Sequence, residues 1–211
     1  MSTRLYAVLI GAAACLLLVI GAALRPVFDA PAPAPTALSV AEIGFSQDMA
    51  VHHAQALSIT QSLSATASPE VLTLAHRIEA SQNIEIGILH GWLMLVDQPL
   101  ASEHPMQWMP DSEHHSHSNS TVSDAPMPGL ASWTEIDELS TLTGTAADIR
   151  FLQLMIRHHQ GGIDMATAGA EMASSGALAR AARSMVDEQT QDLGYMTLLL
   201  QQRSAPALPY P

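Results

Sequence analysis

The chain contains one helix-forming segment twice. Residues 43–60 read IGFSQDMAVHHAQALSIT, and residues 149–166 read IRFLQLMIRHHQGGIDMA, aligned without a gap. The matched positions include Phe45/Phe151, Met49/Met155 and the adjacent pairs His52/His158 and His53/His159. Further on, Gln82-x-x-Glu85 matches Gln189-x-x-Asp192 after a shift of one residue. A repeat of this length indicates duplication of one supersecondary unit, here a pair of helices.

Each copy has the apolar spacing of an amphipathic helix. Positions three and four residues apart form one stripe, which runs through Phe45, Met49 and His52 in the first copy. The second copy repeats this stripe through Phe151, Met155 and His158. His53 and His159 lie one residue further round. Both histidine pairs are therefore predicted to face the interior of a helical bundle or its margin.

Capping signals set the predicted helix boundaries. Ser39-x-x-Glu42 and Ser132-x-x-Glu135 have the form of capping boxes, Ser68-Pro69 is a helix start, and Thr145 is a candidate N-cap. Helices are predicted over 39–65, 68–97, 132–142, 146–174 and 177–203. The four long ones predict an all-α, ferritin-like four-helix bundle built from two repeated hairpins over 39–203. The crossover at 99–129, rich in His and Met, is expected to add little core, and 204–211 is a Pro-rich tail.

The N-terminus predicts a location outside the cytoplasm. An uncharged, largely apolar run from Leu5 to Leu24 is followed by Arg25-Pro26. About 20 helical residues span a hydrocarbon core of roughly 30 Å. We predict a single-pass transmembrane anchor over 1–25 and a Pro/Ala-rich spacer over 26–38, so the domain stands outside the cell membrane. The alternative is a cleaved signal peptide and a secreted domain.

Charge and motifs exclude several functions. The formal charge of −12, with no lysine, argues against a nucleic-acid partner, whose phosphates would be repelled. No Glu has a His three residues later, so the chain lacks the Glu-x-x-His pattern of di-iron bundles. No Gly-x-Ser-x-Gly nucleophile motif is present either. We therefore expect that the protein is not an enzyme.

Histidine and methionine together form a soft, neutral ligand set suited to copper. Thioethers favour Cu(I), whereas imidazole is shared by several transition metals. Asp48, four residues before His52, is a candidate harder ligand or a group that orients the imidazole. The crossover supplies a second candidate cluster of ligands: His104, Met106, Met109, His114, His115 and His117. The alternative is that the histidines are hydrogen-bonded core groups and the methionines are packing residues.

The segment FLQLMIRHHQGGIDMA over 151–166 resembles the signature of domain-of-unknown-function family 305. That resemblance implies a ferritin-like, usually exported protein, and some members of the family bind copper. Carried onto this sequence, it implies one set of metal ligands: Met49, His52, His53, Met155, His158, His159 and Met165. The first copy departs from the pattern, with Ser58 and Ile59 where the second has Asp164 and Met165.

The sequence thus favours a membrane-anchored metal-binding protein that sequesters or hands over copper, with Cu(I) favoured. Its partners would be the metal ion, the membrane through the N-terminal helix, and an envelope protein or a second copy of the chain. Two alternatives stay open. One is an interaction module of the cell envelope with a structural His/Met core, and the other is a copper redox enzyme.

Overall fold

The computed structural model describes residues 3–28, 37–109 and 127–210, and within them the chain is all-α. Six helices are present in these residues: α1 Thr3–Phe28, α2 Val40–Gln61, α3 Pro69–Leu95, α4 Trp133–Thr141, α5 Gly144–Met172 and α6 Gly176–Gln202. The chain divides into two compact units, Met1–Thr36 and Ala37–Pro211. The prediction of an all-α fold is therefore confirmed.

The N-terminal unit contains α1, which spans Thr3–Phe28. In the ranges that the structure describes, no helix combines the length and apolarity needed to cross a membrane. The side chains of 1–5 and 24–28, which include both ends of the predicted anchor, lie outside the described residues. The anchor and the spacer over 26–38 stay predictions.

The second unit is built from two helical hairpins. α2 packs along α3, α5 packs along α6, and the hairpins meet mainly through α2 and α5. Both predicted capping boxes form, at Ser39/Glu42 and Ser132/Glu135. Ser68 is the N-cap of α3, as predicted, although its side chain makes no capping hydrogen bond. One start signal differs from expectation, since Thr143, not Thr145, is the N-cap of α5.

Matched carboxylates tie the two hairpins together. Glu42, at the start of α2, accepts a hydrogen bond from the backbone N–H of Ser175, which precedes α6 (2.6 Å). Asp148, at the matching position of α5, accepts one from the backbone N–H of Ser68, which precedes α3 (2.9 Å). Each repeat thus anchors the second helix of the other repeat. The sequence duplication is preserved as a pseudo-two-fold relation in space.

The core of this unit consists of two apolar clusters with a polar band between them. One cluster contains Phe151 and Met155, and the other contains Phe45, Met49 and Met165. On every long helix, buried polar residues separate the positions that belong to the two clusters. These residues are His52 and His53 on α2, Gln82 and Glu85 on α3, His158 and His159 on α5, and Gln189 and Asp192 on α6.

The crossover contributes to the core, so the expectation that it adds little is wrong. Trp108 and Met127 are buried in one of the apolar clusters. Buried Asp48 accepts hydrogen bonds from the Met106 backbone N–H (2.6 Å) and the Trp108 indole N–H (2.8 Å). One buried side chain near each end of the crossover, Trp108 and Met127, thus covers the bundle. Its middle, 110–126, lies outside the described residues.

The C-terminal tail also packs on the bundle. Ala205 and Leu208 lie against the cluster that contains Phe151, and Gln153 donates a hydrogen bond to the Pro206 carbonyl (2.8 Å). The prolines prevent further helix but leave carbonyls free to accept side-chain hydrogen bonds. The tail therefore follows the outer surface of α5.

Candidate metal centre

Four histidines occupy the polar band, and we call them the histidine layer: His52, His53, His158 and His159. All four are fully buried. The rings of His52 and His158 are in contact, with centroids 3.9 Å apart and planes tilted by 36°, and the ring of each lies 6.1–6.3 Å from that of its chain neighbour. The inward stripes predicted from the repeat therefore bring both histidine pairs to the contact between α2 and α5.

The two central rings have a defined tautomer. His158 Nε2 lies 3.0 Å from the backbone oxygen of His52, and His52 Nε2 lies 3.2 Å from the backbone oxygen of Pro128. A carbonyl oxygen accepts hydrogen bonds and cannot donate them, so Nε2 carries the proton in both neutral rings. The Nδ1 atom of each ring is then an unprotonated lone-pair donor.

The two outer rings face carboxylates. His53 Nε2 lies 2.8 Å from Glu85 Oε2, at ion-pair distance but poorly aligned for a hydrogen bond. His159 Nε2 lies 3.6 Å from Asp192 Oδ2. Burial raises the pKa of the Asp192 carboxyl, but the interactions with His159 and then with Arg77 lower it by more. The pKa of Asp192 is therefore below its usual value. Each half of the layer thus has an imidazole followed by a carboxylate on the next helix.

The layer contains many polar atoms without a hydrogen-bond partner. In the described part of the chain, the Nδ1 atoms of all four histidines lack one, as do Gln82 Oε1 and both amide atoms of Gln189. Buried polar atoms in folded proteins are nearly always paired with protein, water or an ion. A set this large in one layer indicates a site that takes a further polar or metallic species.

Burial keeps the central imidazoles neutral. It lowers the pKa of His52 to about 3, with a further contribution from the charge of His53. It also places the pKa of His158 well below the usual value, and His52 and His159 add to that shift. Neutral imidazole is the form that binds metal. The layer is therefore chemically competent to donate nitrogen at neutral pH.

A closing segment, residues 127–131, covers one side of the layer. It supplies the Pro128 carbonyl to His52, and Gln55 holds the Ala131 backbone through two hydrogen bonds of 2.7 and 2.9 Å. Gly129 adopts φ +78°, and a Cβ on Gly161 would lie 2.0 Å from the Pro128 oxygen. Glycine at 161 therefore lets this backbone approach the turn of α5 that carries the histidines.

Glycine also shapes the layer at its α6 side. A Cβ on Gly162 would lie 2.1 Å from Gln189 Oε1. The matching residue of α2 is Ala56, which carries a Cβ at this position. Sequence reasoning missed Gln82 and Gln189 as members of the site. The signal was present, since the repeated Gln-x-x-Glu/Asp places each amide one turn from a carboxylate.

The predicted methionine ligands are divided between the two apolar clusters. Met155 lies in one, whereas Met49 and Met165 lie in the other. The second cluster contains seven of the eleven methionines, and we call it the methionine-rich core: Met49, Met106, Met109, Met127, Met165, Met172 and Met185. At matched positions the other cluster has Ile59 for Met165 and Ile78 for Met185. Thioethers are thus enriched on one side of the histidine layer.

The remaining predicted ligands lie in or near the crossover. Asp48 holds Met106 and Trp108, as described above, and burial raises its pKa although both hydrogen bonds oppose that shift. Met106 and Met109 are half-buried against the methionine-rich core, and His104 is exposed. His114, His115 and His117 lie outside the described residues. Over 3–28, 37–109 and 127–210, no three His, Cys, Asp or Glu side chains converge to hold a metal.

Comparisons with known proteins agree with this architecture. The model of the family described as "Domain of unknown function (DUF305)" matches residues 42–200. No curated protein matches the chain significantly. A DUF305 protein of Streptomyces coelicolor that is considered to be secreted has 35% identity and a TM-score of 0.70, over 81% of this chain and 96% of that one.

Three further solved structures are similar. A DUF305 fragment from Deinococcus radiodurans has 30% identity and a TM-score of 0.64, over 78% of this chain and 98% of that one. CopM in its Cu(II)-bound form has 21% identity and a TM-score of 0.57, over 76% of this chain and 96% of that one. CopM in its Cu(I)-bound form is similar to nearly the same degree. At that identity, the likeness to CopM shows the fold.

Proposed function

The chain belongs to the DUF305 family, and on that premise we propose that it binds copper outside the cytoplasm, for sequestration or handover rather than catalysis. The observation that carries this proposal is the histidine layer, in which four buried Nδ1 atoms have no hydrogen-bond partner among the described residues. Two of these rings are fixed in the tautomer that leaves Nδ1 unprotonated. An unprotonated imidazole nitrogen can donate its lone pair to a metal ion.

The chemistry of the donors favours copper over zinc. Imidazole nitrogens lie beside a methionine-rich core, and thioether sulfur selects Cu(I) strongly while adding little for Zn(II). The side chains must rearrange to coordinate an ion, since no three of the donors considered for a preformed site converge in the described residues. A carrier that takes up and releases its ion is compatible with a site that assembles on binding.

The relatives support the proposal from a second direction. CopM, which shares this fold, has been solved with Cu(I) and with Cu(II). One family member is considered to be secreted, in agreement with a domain outside the cytoplasmic membrane. We propose that the N-terminal apolar run holds this chain at the membrane surface and that the bundle receives copper there.

Metal retention by the purified full-length chain tests the proposal. The chain is loaded with Cu(I) under reducing conditions, with Cu(II), or with Zn(II), desalted, and its metal content measured. We expect copper retention that falls sharply in the double variant His158→Gln/His159→Gln. The matched control is His76→Gln/His90→Gln, which makes the same chemical change on α3, outside the layer. Circular dichroism verifies that each variant is folded.

Two outcomes would overturn the proposal: a folded wild-type chain that retains no copper, or equal losses in the two double variants. Either would favour a second candidate, an envelope interaction module in which the histidine layer is structural. The absence of three converging donors in the described residues is the observation that favours this alternative.

A further inference from the structure

An acidic pocket opens on the surface beside the histidine layer. It has a volume of about 570 Å³, lies between α3 and α6, and is lined by Arg77, Asp187, Glu188, Asp192 and Tyr195. Asp187 is exposed, Glu188 is half-buried and Asp192 is buried. Three carboxylates at successive depths give the pocket a negative potential that concentrates cations.

The inner wall of the pocket is in contact with the layer. Asp192 is 4% exposed, and its Oδ2 atom lies 3.6 Å from Nε2 of His159. His159 is fully buried, and neither of its ring nitrogens has a hydrogen-bond partner within the described ranges. One carboxylate therefore separates solvent in the pocket from an unpaired imidazole in the interior.

Arg77 currently neutralises that carboxylate. Its guanidinium pairs with Asp192 Oδ1 and lies 5.7 Å from the centre of the Tyr195 ring. The arginine side chain is 55% exposed, so solvent weakens this pair and the side chain is free to move outward. A metal cation that enters the pocket would compete with Arg77 for the same carboxylate.

In the described residues, the matching positions on α3 lack the two outer carboxylates of the pocket. In the alignment that pairs Gln82 with Gln189, Asp187 is matched by Ala80 and Glu188 is matched by Ser81. Glu85 itself is retained at the position of Asp192, and it contacts His53. The two halves thus match at the layer and differ at the surface outside it. The pocket carboxylates are not required by the repeated fold.

From this geometry we propose that the acidic pocket is the entry site of the protein. It would capture a hydrated transition-metal dication such as Cu(II) and pass it through Asp192 to His159, with Arg77 as the counter-ion that the metal displaces. Carboxylate and imidazole ligands both suit such an ion. This inference rests on the proposed copper-binding function and adds the route by which the ion reaches the layer.

Uptake kinetics test the entry site. Cu(II) is mixed with the full-length chain at low salt, and binding is followed by quenching of tryptophan fluorescence. We expect the variant Asp187→Asn/Glu188→Gln to bind the same final amount with an association rate about tenfold slower, since steering by fixed charges changes rates by such factors. High salt should remove most of this difference. Arg77→Gln should accelerate uptake, a result that a purely structural ion pair would not give.

The control is Asp137→Asn/Glu171→Gln, which makes the same change in net charge at exposed residues outside the pocket. Equal rates in the two double variants, or slower uptake in Arg77→Gln, would overturn the entry site while leaving copper binding intact.

If the wild-type chain retains no copper in the layer, the proposed function fails. Cu(II)-induced broadening of the backbone NMR signals of 184–195 then decides separately whether the pocket captures cations. Absence of that broadening overturns the entry site as well.

Discussion

His158 Nε2 lies 3.0 Å from the backbone oxygen of His52, and the centroids of the two imidazole rings lie 3.9 Å apart. The hydrogen bond fixes the proton on Nε2, and the ring contact, with planes tilted by 36°, brings the imidazoles of the two repeats together. The His52 carbonyl belongs to the backbone of α2, so α2 positions the ring of α5. The unpaired Nδ1 atoms of the layer follow from this arrangement.

The first prediction concerns tautomers. In the metal-free chain, His52 and His158 should both be neutral with the proton on Nε2, and they should remain so at pH 5, where an ordinary imidazole is largely protonated. Long-range proton–nitrogen NMR spectra of the rings measure this directly, with exposed His104 as an internal reference. Rings protonated on Nδ1, or doubly protonated at pH 5, would contradict the assigned hydrogen bonds.

The second prediction concerns stability and pH. The folded-state pKa of His52 is about 3 and that of His158 is also far below the unfolded value near 6.5. Between these values the unfolded chain binds more protons than the folded chain, so the free energy of unfolding falls as the pH falls. For two histidines the loss between pH 7 and 5 is roughly 4 kcal/mol. Urea unfolding of the metal-free chain at several pH values measures it.

Replacement of one ring checks the origin of that slope. His158→Gln should remove about half of the pH dependence, because one of the two buried rings is gone. The same change at exposed His104 is the control. An unchanged slope in His158→Gln would mean that other groups cause the loss of stability at acidic pH. Carboxylates with lowered pKa values, such as Glu42 and Asp148, reduce the free energy of unfolding only at lower pH, below their unfolded pKa values near 4.

The repeat predicted the interior placement of both histidine pairs because helical periodicity determines which side chains share a face. It did not predict how the methionines divide. Met49 and Met155 have the same position in their helices, but the pseudo-two-fold relation reverses the helix direction between repeats. The two residues therefore point to opposite sides of the histidine layer and enter different clusters.

Asp48 shows a second limit of sequence reasoning. Its spacing from His52 suggested a role beside the imidazole, but its carboxylate binds Met106 and Trp108 in the crossover. No periodicity links residues so far apart in an irregular segment, so only the folded chain reveals this contact. The crossover ends are core for the same reason, although their composition is typical of a polar linker.

The third prediction concerns the closing segment. Gly161→Ala should destabilise the chain by about 1–3 kcal/mol, because its Cβ would lie 2.0 Å from the Pro128 oxygen and the backbone must shift. The shift should also weaken the contact between Pro128 and His52. The control is Gly194→Ala on α6, where a Cβ meets nothing within 4 Å, and a gain of about 0.5–1 kcal/mol is expected. Urea unfolding compares the two, and equal effects would contradict the close approach.

The fourth prediction separates the crossover histidines from the bundle. His114→Asn/His115→Asn/His117→Asn should reduce the number of copper ions bound while leaving the melting temperature unchanged. Deletion of 104–117 would not make this separation, because it removes buried Trp108. Copper content and thermal unfolding are measured on the same samples. Loss of all copper in the triple variant would place the entire site in the crossover and leave the histidine layer as a structural element.

The fifth prediction uses the pseudo-symmetry of the two clusters. Met165→Ile/Met185→Ile gives the methionine-rich core the residues that the other cluster already has at Ile59 and Ile78. Such apolar replacements of similar volume should cost less than about 1.5 kcal/mol each. If these thioethers bind Cu(I), its affinity should fall while that of Cu(II) changes little, because sulfur donors favour the reduced ion. Met196→Leu, in the other cluster and outside the predicted ligand set, is the control. Competition titrations with a Cu(I) chelator measure the affinity, and an unchanged value in the double variant would show that imidazole nitrogen alone holds the ion.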